Sequence, residues 1–128
     1  MKIFLIDDDR LSILVTKTLL ELEGATRDIT AFLDASEALD VLHTSSAIRM
    51  PDVILLDLNM PVMDGWDFLD AVASLDPKLN KKCKIYILTS SLDTSDANRV
   101  KDYPIVAGFI HKPLKSEDIR IIVSEFNL

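Results

Sequence analysis

Three consecutive carboxylates close the first apolar run of the chain. Ile3 to Ile6 are typical of a buried strand, and Asp7, Asp8 and Asp9 follow directly. Packed acids repel one another and resist ionisation, so a compensating positive charge is expected nearby. A hard divalent cation would supply it, since Mg²⁺ prefers carboxylate oxygens and keeps several of its own waters.

Polar residues also follow three later apolar runs. The runs at 51–57, 83–89 and 106–110 lead, in that order, to Asp57, Thr89 and Lys112. Ligand sites of open parallel sheets lie beyond the carboxyl ends of the strands. If the runs are neighbours in such a sheet, acids, a hydroxyl and an amine converge on one edge. A single strand-end acid is often only a helix cap, whereas the complete set indicates a site for a metal ion and a phosphoryl group.

The spacing of apolar residues predicts the elements that position these groups. Strands are expected at 2–6, 26–32, 51–57, 83–89 and 106–110, and helices at 9–23, 34–42, around 68–72, 94–103 and 116–126. Asp9 is expected to begin the first helix and Gly24 to end it. The apolar spacing of that helix is carried by Leu11, Leu14, Val15, Thr18, Leu19 and Leu22. Alternating strands and helices predict an α/β fold with a parallel sheet covered on both faces.

Size and composition exclude several classes of protein. With 128 residues, the chain is expected to form a single domain, residues 1–128, with no output domain. Its net charge of −7 argues against nonspecific binding to DNA or acidic membranes, which requires basic patches. Cys83 is the only cysteine, which excludes an internal disulfide and agrees with a cytoplasmic location. A signal peptide and a membrane helix are not expected.

In its motifs the chain resembles the receiver domains of two-component response regulators, the CheY-like superfamily. The resemblance covers the whole chain. It rests on Asp7 and Asp8, LLDLNMPVMDG (55–65), ILTSS (87–91) and FIHKP (109–113), which are weak singly and specific in this order. It implies a flavodoxin-like, doubly wound sheet of five parallel strands in the order 2-1-3-4-5, with helices on both faces.

The resemblance implies a phosphoacceptor and a metal site. Asp57 matches the phosphoacceptor of the family. Asp8 and Asp57 match direct Mg²⁺ ligands, together with the backbone carbonyl of Asn59, and Asp7 is expected to act through a bound water.

The resemblance also implies a switch. Thr89 matches the hydroxyl that contacts the phosphoryl group, and Lys112 matches the amine that pairs with it. Phe109 occupies the switch aromatic position. The bond between Lys112 and Pro113 is a candidate for the cis form.

The implied partners are proteins. The phosphodonor would be a phosphohistidine on a sensor histidine kinase or a histidine phosphotransfer protein. A downstream target would bind the surface made by the fourth helix, fifth strand and fifth helix. The chain would catalyse only its own phosphotransfer and dephosphorylation, and it would be either a stand-alone regulator or a shuttle in a phosphorelay.

Two other functions fit the sequence less well. A phosphatase of the haloacid-dehalogenase type would use Asp7 and Asp9, but it needs a later acidic pair at a strand end, and only Glu117 and Asp118 follow Lys112 closely, at a helix start. A flavin-binding module on the same sheet needs a phosphate-binding loop where this chain has acids that would repel the phosphate.

Overall fold

The computed structural model describes residues 1–44, 50–75, 83–90 and 94–127. The described elements are, in order, β1 (Lys2–Ile6), α1 (Arg10–Leu22), β2 (Asp28–Phe32), α2 (Ala35–Thr44), β3 (Val53–Leu56), α3 (Gly65–Ala73), β4 (Lys84–Thr89), α4 (Thr94–Arg99), a 3₁₀ turn (Val100–Asp102), β5 (Val106–His111) and α5 (Ser116–Phe126). None of the helices in these ranges has both the length and the apolarity that crossing a membrane requires.

The five strands form one parallel sheet in the order β2-β1-β3-β4-β5. This confirms the parallel sheet that the apolar spacing predicted and the doubly wound strand order that the resemblance implied. The order places β1 beside β3, where Ile6 pairs with Leu56. Since parallel strands run the same way, the residues after Ile6 and Leu56 leave the sheet side by side.

Successive side chains of the central strands enter two apolar layers. Ile54 and Leu56 pack on the side covered by α2 and α3, whereas Val53 and Leu55 pack on the side that contains buried residues of α1 and α5. All four residues of β3 are buried, as expected of a strand that is covered on both faces. Burying a side chain of this size contributes about 1.5–3 kcal/mol, so β3 is a rigid support for the residues at its end.

Local signals fix both ends of α1. Asp9 is the N-cap, since its side-chain Oδ1 accepts the backbone N–H groups of Leu11 at 2.9 Å and Ser12 at 3.4 Å. Gly24 follows the helix with a φ of 69°, a left-handed conformation that glycine adopts without strain. The boundaries expected from Asp9 and Gly24 are therefore confirmed.

The fourth helix is shorter than the sequence predicted. Helical spacing indicated 94–103, but α4 ends at Arg99 and the chain continues as the 3₁₀ turn. Tyr103 is extended, with φ −121° and ψ 91°. Pro104 explains this, because a proline disfavours helical geometry in the residue before it.

The apolar residues whose spacing predicted α1 lie largely on the outer side of this helix. Leu11, Leu14, Val15 and Leu22 are 67%, 60%, 49% and 79% exposed; we call these four residues the α1 apolar face. Thr16 and Leu20 are the buried residues of the helix. Helix α1 therefore has apolar residues on two sides, and only one of these sides packs on the sheet.

Candidate functional site

Three carboxylates meet at the carboxyl edge of β1 and β3. The backbone N–H of Asp57 donates to the carbonyl of Ile6 at 2.9 Å, which holds the two strand ends together. Carboxylate oxygens of Asp7, Asp8 and Asp57 lie within 4.8 Å of one another. Asp7 is 1% and Asp57 7% exposed, whereas Asp8 is exposed. The group is therefore reached from solvent on the side of Asp8.

Both oxygens of Asp7 already accept hydrogen bonds from the protein. Oδ1 accepts the backbone N–H of Asp9 at 2.9 Å. Oδ2 accepts the hydroxyl of Ser12 at 2.6 Å and the ammonium of Lys112 at 2.7 Å. This buried carboxylate is thus compensated by three donors, as burial of a charge requires.

Lys112 reaches the acids from the end of β5. Its backbone N–H donates to the carbonyl of Thr89 at 2.7 Å, which joins the ends of β4 and β5. Its Nζ lies 2.7 Å from Asp7 Oδ2 and 3.6 Å from Asp57 Oδ2. The peptide bond between Lys112 and Pro113 is cis, as the resemblance suggested.

Asp57 is the least compensated of the buried acids. Its Oδ1 accepts the N–H of Asn59 at 3.2 Å. Burial raises the pKa of Asp57 to about 6, with smaller increases from Asp7 and Asp8, and Lys112 and the Asn59 N–H oppose this rise. A further positive charge beside Asp57 would therefore stabilise its ionised form.

The acids fit a hard divalent cation. Asp8 makes no side-chain hydrogen bond to another described residue. Within the same described part of the chain, Asp57 accepts one hydrogen bond and forms an ion pair with Lys112 at 3.6 Å. These two carboxylates are available as direct ligands, whereas Asp7, with both oxygens engaged, suits contact through a water. Mg²⁺ favours a coordination shell with few protein ligands and several retained waters. The carbonyl of Asn59 is two residues beyond Asp57, in the same loop.

Thr89 and Phe109 lie on one side of the sheet. Thr89 is fully buried at the end of β4. Ile87 and the half-buried Phe109 are paired in register, and both belong to the apolar layer beside α2 and α3. Because side chains alternate along a strand, Thr89 faces the same side as Ile87. The two residues predicted to form a switch are therefore on the same face of adjacent strands.

The loop after β3 packs closely against the backbone of Asp57 and Leu58. A Cβ atom on Gly65 would lie 2.7 Å from Leu58 Cα and 2.9 Å from the Asp57 carbonyl oxygen, so only glycine fits at the start of α3. Asp64 and Asp67 form a capping box at the start of α3. Val62 is fully exposed with a φ of 68°, a conformation that costs a β-branched residue about 1–3 kcal/mol.

The structure brings Asp7, Asp8, Asp57 and Lys112 together at this edge. Asn59 is joined to Asp57, and Thr89 to Lys112, by a backbone hydrogen bond. Phe109 lies within β5, beside β4. Sequence reasoning missed Ser12, whose hydroxyl contacts Asp7. Its only signal is a polar residue in the first turn of a helix that starts beside the acids. It also missed the exposure of the α1 apolar face.

Known proteins are similar to this chain over most of its length. The family model described as the response regulator receiver domain matches residues 3–124. The probable methanogenesis regulatory protein FilR2 of Methanothrix harundinacea is 28% identical over 125 residues, which are 96% of this chain and 79% of that protein. A protein-glutamate methylesterase/protein-glutamine glutaminase of Caldanaerobacter subterraneus is 36% identical over 98 residues, 76% of this chain.

Some of the relatives are much longer proteins than this chain. The chain spans 24% of that methylesterase and 7% of the hybrid signal transduction histidine kinase L of Dictyostelium discoideum, to which it is 24% identical over 98% of its own length.

Among solved structures, the response regulator receiver protein from Dyadobacter fermentans has a TM-score of 0.89 at 26% identity, covering 99% of this chain and 98% of that one. A two-component response regulator from Cytophaga hutchinsonii has a TM-score of 0.92 at 24% identity, covering 98% and 96%, and it supports the fold.

Proposed function

Because the chain belongs to the family of response regulator receiver domains, we propose that it accepts a phosphoryl group on Asp57 with Mg²⁺ and thereby switches its binding to another protein. One observation carries this proposal. The carboxylates of Asp7, Asp8 and Asp57 converge within 4.8 Å, and the Lys112 ammonium lies 3.6 Å from Asp57. This arrangement offers a nucleophile, a metal site and a positive charge on one edge.

The proposed chemistry needs little from the protein beyond positioning. A carboxylate oxygen of Asp57 attacks the phosphorus of a phosphohistidine, so a P–O bond forms while the P–N bond breaks. The imidazole nitrogen keeps the electron pair and takes a proton from solvent. A bound Mg²⁺ supplies charge neutralisation at the phosphoryl oxygens. Lys112 pairs with these oxygens and the Thr89 hydroxyl orients them. Asp57 needs no general base, since it reacts as the anion.

The phosphodonor is proposed to be a sensor histidine kinase or a histidine phosphotransfer protein that docks on the α1 apolar face. This face begins at Leu11, three residues after Asp8, so it borders the open side of the acid group. A donor that brings a histidine to Asp57 must cover that side. Four exposed apolar residues on one helix are a surface that a partner can bury.

The output is proposed to be binding of a target protein at α4, β5 and α5. Ile121 and Phe126 are 54% and 43% exposed on α5 and would contribute to this surface. A shuttle role in a phosphorelay is the alternative. In either role the chain catalyses only its own phosphotransfer and dephosphorylation. A cytoplasmic location is proposed because the free Cys83 is compatible with a reducing compartment.

The phosphatase alternative gains no support. The later acidic pair that it needs would be Glu117 and Asp118. Asp118 instead accepts the backbone N–H of Lys115 at 2.9 Å at the start of α5, so it serves the helix and not the site.

The phosphoacceptor can be tested by intact mass. Incubation with Mg²⁺ and acetyl phosphate should add one phosphoryl group to the parent chain and none to Asp57→Asn. Asp28→Asn, an exposed acid at the far end of β2, is the matched control and should react like the parent. A phosphoryl adduct that persists in Asp57→Asn would overturn the assignment.

A further inference from the structure

Ser12 lies in the first turn of α1, directly above the acid group. The N-cap Asp9 fixes this turn by accepting the N–H groups of Leu11 and Ser12. Side chains in a helix lean toward its N-terminus, which directs the Ser12 hydroxyl back toward Asp7. The resulting hydrogen bond to Asp7 Oδ2 is 2.6 Å long. The hydroxyl therefore serves the site and not the capping of its own helix.

Asp7 Oδ2 is shared between Ser12 and Lys112. Among the described residues, Lys112 is the cation that forms an ion pair with Asp7, at 2.7 Å. The same ammonium is 3.6 Å from Asp57 Oδ2. A buried carboxylate that loses its compensating donor is strongly destabilised. Any movement of Lys112 toward Asp57 is therefore opposed by the need to compensate Asp7.

The donors that remain on Asp7 decide how strongly that movement is opposed. If Lys112 turns to a phosphoryl group on Asp57, Asp7 still accepts the Ser12 hydroxyl and the Asp9 N–H. A hydrogen bond to a charged acceptor is stronger than one between neutral groups. The Ser12 hydroxyl thus still donates to Asp7 when Lys112 pairs with the phosphoryl group.

We infer that Ser12 is a positioning residue of the phosphoacceptor site, whose hydroxyl holds Asp7 and so allows Lys112 to pair with a phosphoryl group on Asp57. This inference rests on the proposed function. Ser12 acts through Asp7 and Lys112 and does not itself touch the phosphoryl group.

The test is a titration with beryllofluoride, a phosphoryl mimic, in saturating Mg²⁺, followed by backbone amide spectra. Ser12→Ala should weaken the apparent affinity about tenfold, because without the hydroxyl Asp7 keeps, of its described donors, only the Asp9 N–H when Lys112 turns to the mimic. Ser12→Thr keeps the hydroxyl and should bind within about threefold of the parent. Because beryllofluoride needs no protein donor, docking on α1 does not enter the measurement.

The matched control is Ser36→Ala. The Ser36 hydroxyl also donates to a carboxylate, Asp34 Oδ1 at 2.7 Å, but this pair is exposed at the start of α2. Its loss should leave the affinity for beryllofluoride unchanged. Thermal unfolding of each variant checks the fold. If Ser12→Ala does not fold, Ser12→Cys takes its place, because a thiol is a weaker donor of similar size.

A second readout follows the lysine itself. The side-chain signal of Lys112, assigned by its loss in Lys112→Arg, should shift on addition of beryllofluoride in the parent and in Ser12→Thr. In Ser12→Ala the same shift should need a higher concentration of the mimic. A role of Ser12 in helix stability alone would move the unfolding temperature and not this midpoint.

The outcomes separate the two proposals. If the parent binds beryllofluoride and Ser12→Ala binds it equally well, the inference about Ser12 is wrong and the proposed function stands. Equal weakening in Ser12→Ala and Ser12→Thr also overturns it, because the hydroxyl is then not the cause. If the parent itself does not bind the mimic, the proposed function fails first.

Discussion

At the scale of single residues, Asp7 and Asp57 differ in how many donors from the described residues reach them. Asp7 is held by a lysine, a hydroxyl and a backbone N–H, whereas Asp57 has one hydrogen bond from Asn59 and an ammonium 3.6 Å away. Both carboxylates are buried, so the difference in donors matters. The poorly compensated acid is the one that the proposed reaction uses as a nucleophile.

This imbalance predicts that Asp57 lowers the stability of the metal-free protein. Burial raises the pKa of Asp57 from 3.8 to about 6. The folded chain therefore holds this proton more tightly than the unfolded chain. The contribution of this proton to the free energy of unfolding is present in full below about pH 3.8 and is lost as the pH rises through about 6.

The substitution Asp57→Asn removes the ionisable group. At pH 7, in a chelator, we expect the variant to have a free energy of unfolding up to about 3 kcal/mol higher than the parent. This difference should shrink toward pH 4. Urea unfolding of both chains between pH 4 and 8 measures it. A difference that does not change with pH would contradict the prediction.

At the scale of elements, α4 is a short helix whose residues are mostly exposed. It has no buried residue. Its last residue, Arg99, lies over the ring of Trp66 at 4.4 Å from the ring centre, and the Tyr103 ring beyond the 3₁₀ turn lies 5.5 Å from the same ring. Elements with few buried contacts open at low free energy. Helix α4 is therefore suited to respond to a change at the neighbouring strand ends.

Thr89 is the residue expected to transmit that change. It is buried at the end of β4, its carbonyl accepts the Lys112 N–H, and it shares a face of the sheet with Phe109. New phosphoryl oxygens on Asp57 would draw the Thr89 hydroxyl inward and leave space for the Phe109 ring. A covalent phosphoryl group shifts this equilibrium only as far as it favours one state.

We therefore expect Thr89→Ala still to accept a phosphoryl group on Asp57 but to lose the accompanying change in α4, β5 and α5. Backbone amide spectra with and without beryllofluoride measure that change over residues 94–126. Thr30→Ala, an exposed threonine on the edge strand β2, is the control and should respond like the parent. If Thr89→Ala shows the shifts of the parent, another contact, foremost Lys112, carries the signal.

At the scale of the whole molecule, the α1 apolar face separates two kinds of phosphodonor. A small donor such as acetyl phosphate needs only the acid group, whereas a protein donor must also bind the surface beside it. The chain carries a net charge of −7, so an apolar patch next to the acids offers a partner contact area that charge repulsion does not oppose.

Leu14→Glu tests this division. Leu14 is 60% exposed, so the substitution should change the free energy of unfolding by no more than about 0.5 kcal/mol. Phosphotransfer from the cognate histidine protein should slow about tenfold or more, while the reaction with acetyl phosphate stays unchanged. Ile121, on α5, is an apolar residue of comparable exposure at 54%, and Ile121→Glu should leave both reactions unchanged. Equal slowing by the two variants would show that α1 is not the docking surface.

Much of the fold and the site follows from the sequence alone, because both depend on local order along the chain. Short apolar runs that alternate with helical spacing specify a parallel sheet, and a parallel sheet brings its carboxyl ends to one edge. The residues that close the runs, Asp7, Asp57, Thr89 and Lys112, are therefore placed together by topology. Helix ends that rest on single residues, such as Asp9 and Gly24, were also predictable.

Tertiary structure decided what periodicity leaves open. A period of 3.6 residues shows that a helix has an apolar side, but α1 has apolar residues on two sides, and only packing determines that Leu20 is buried and Leu14 exposed. The extended Tyr103, where the fourth helix was predicted to continue, is a different case, because Pro104 is a local signal already present in the sequence. The sharing of Asp7 between Ser12 and Lys112 joins residues 5 and 105 positions away. Such a contact depends on how a helix and two strand ends meet in space, which spacing along the chain does not encode.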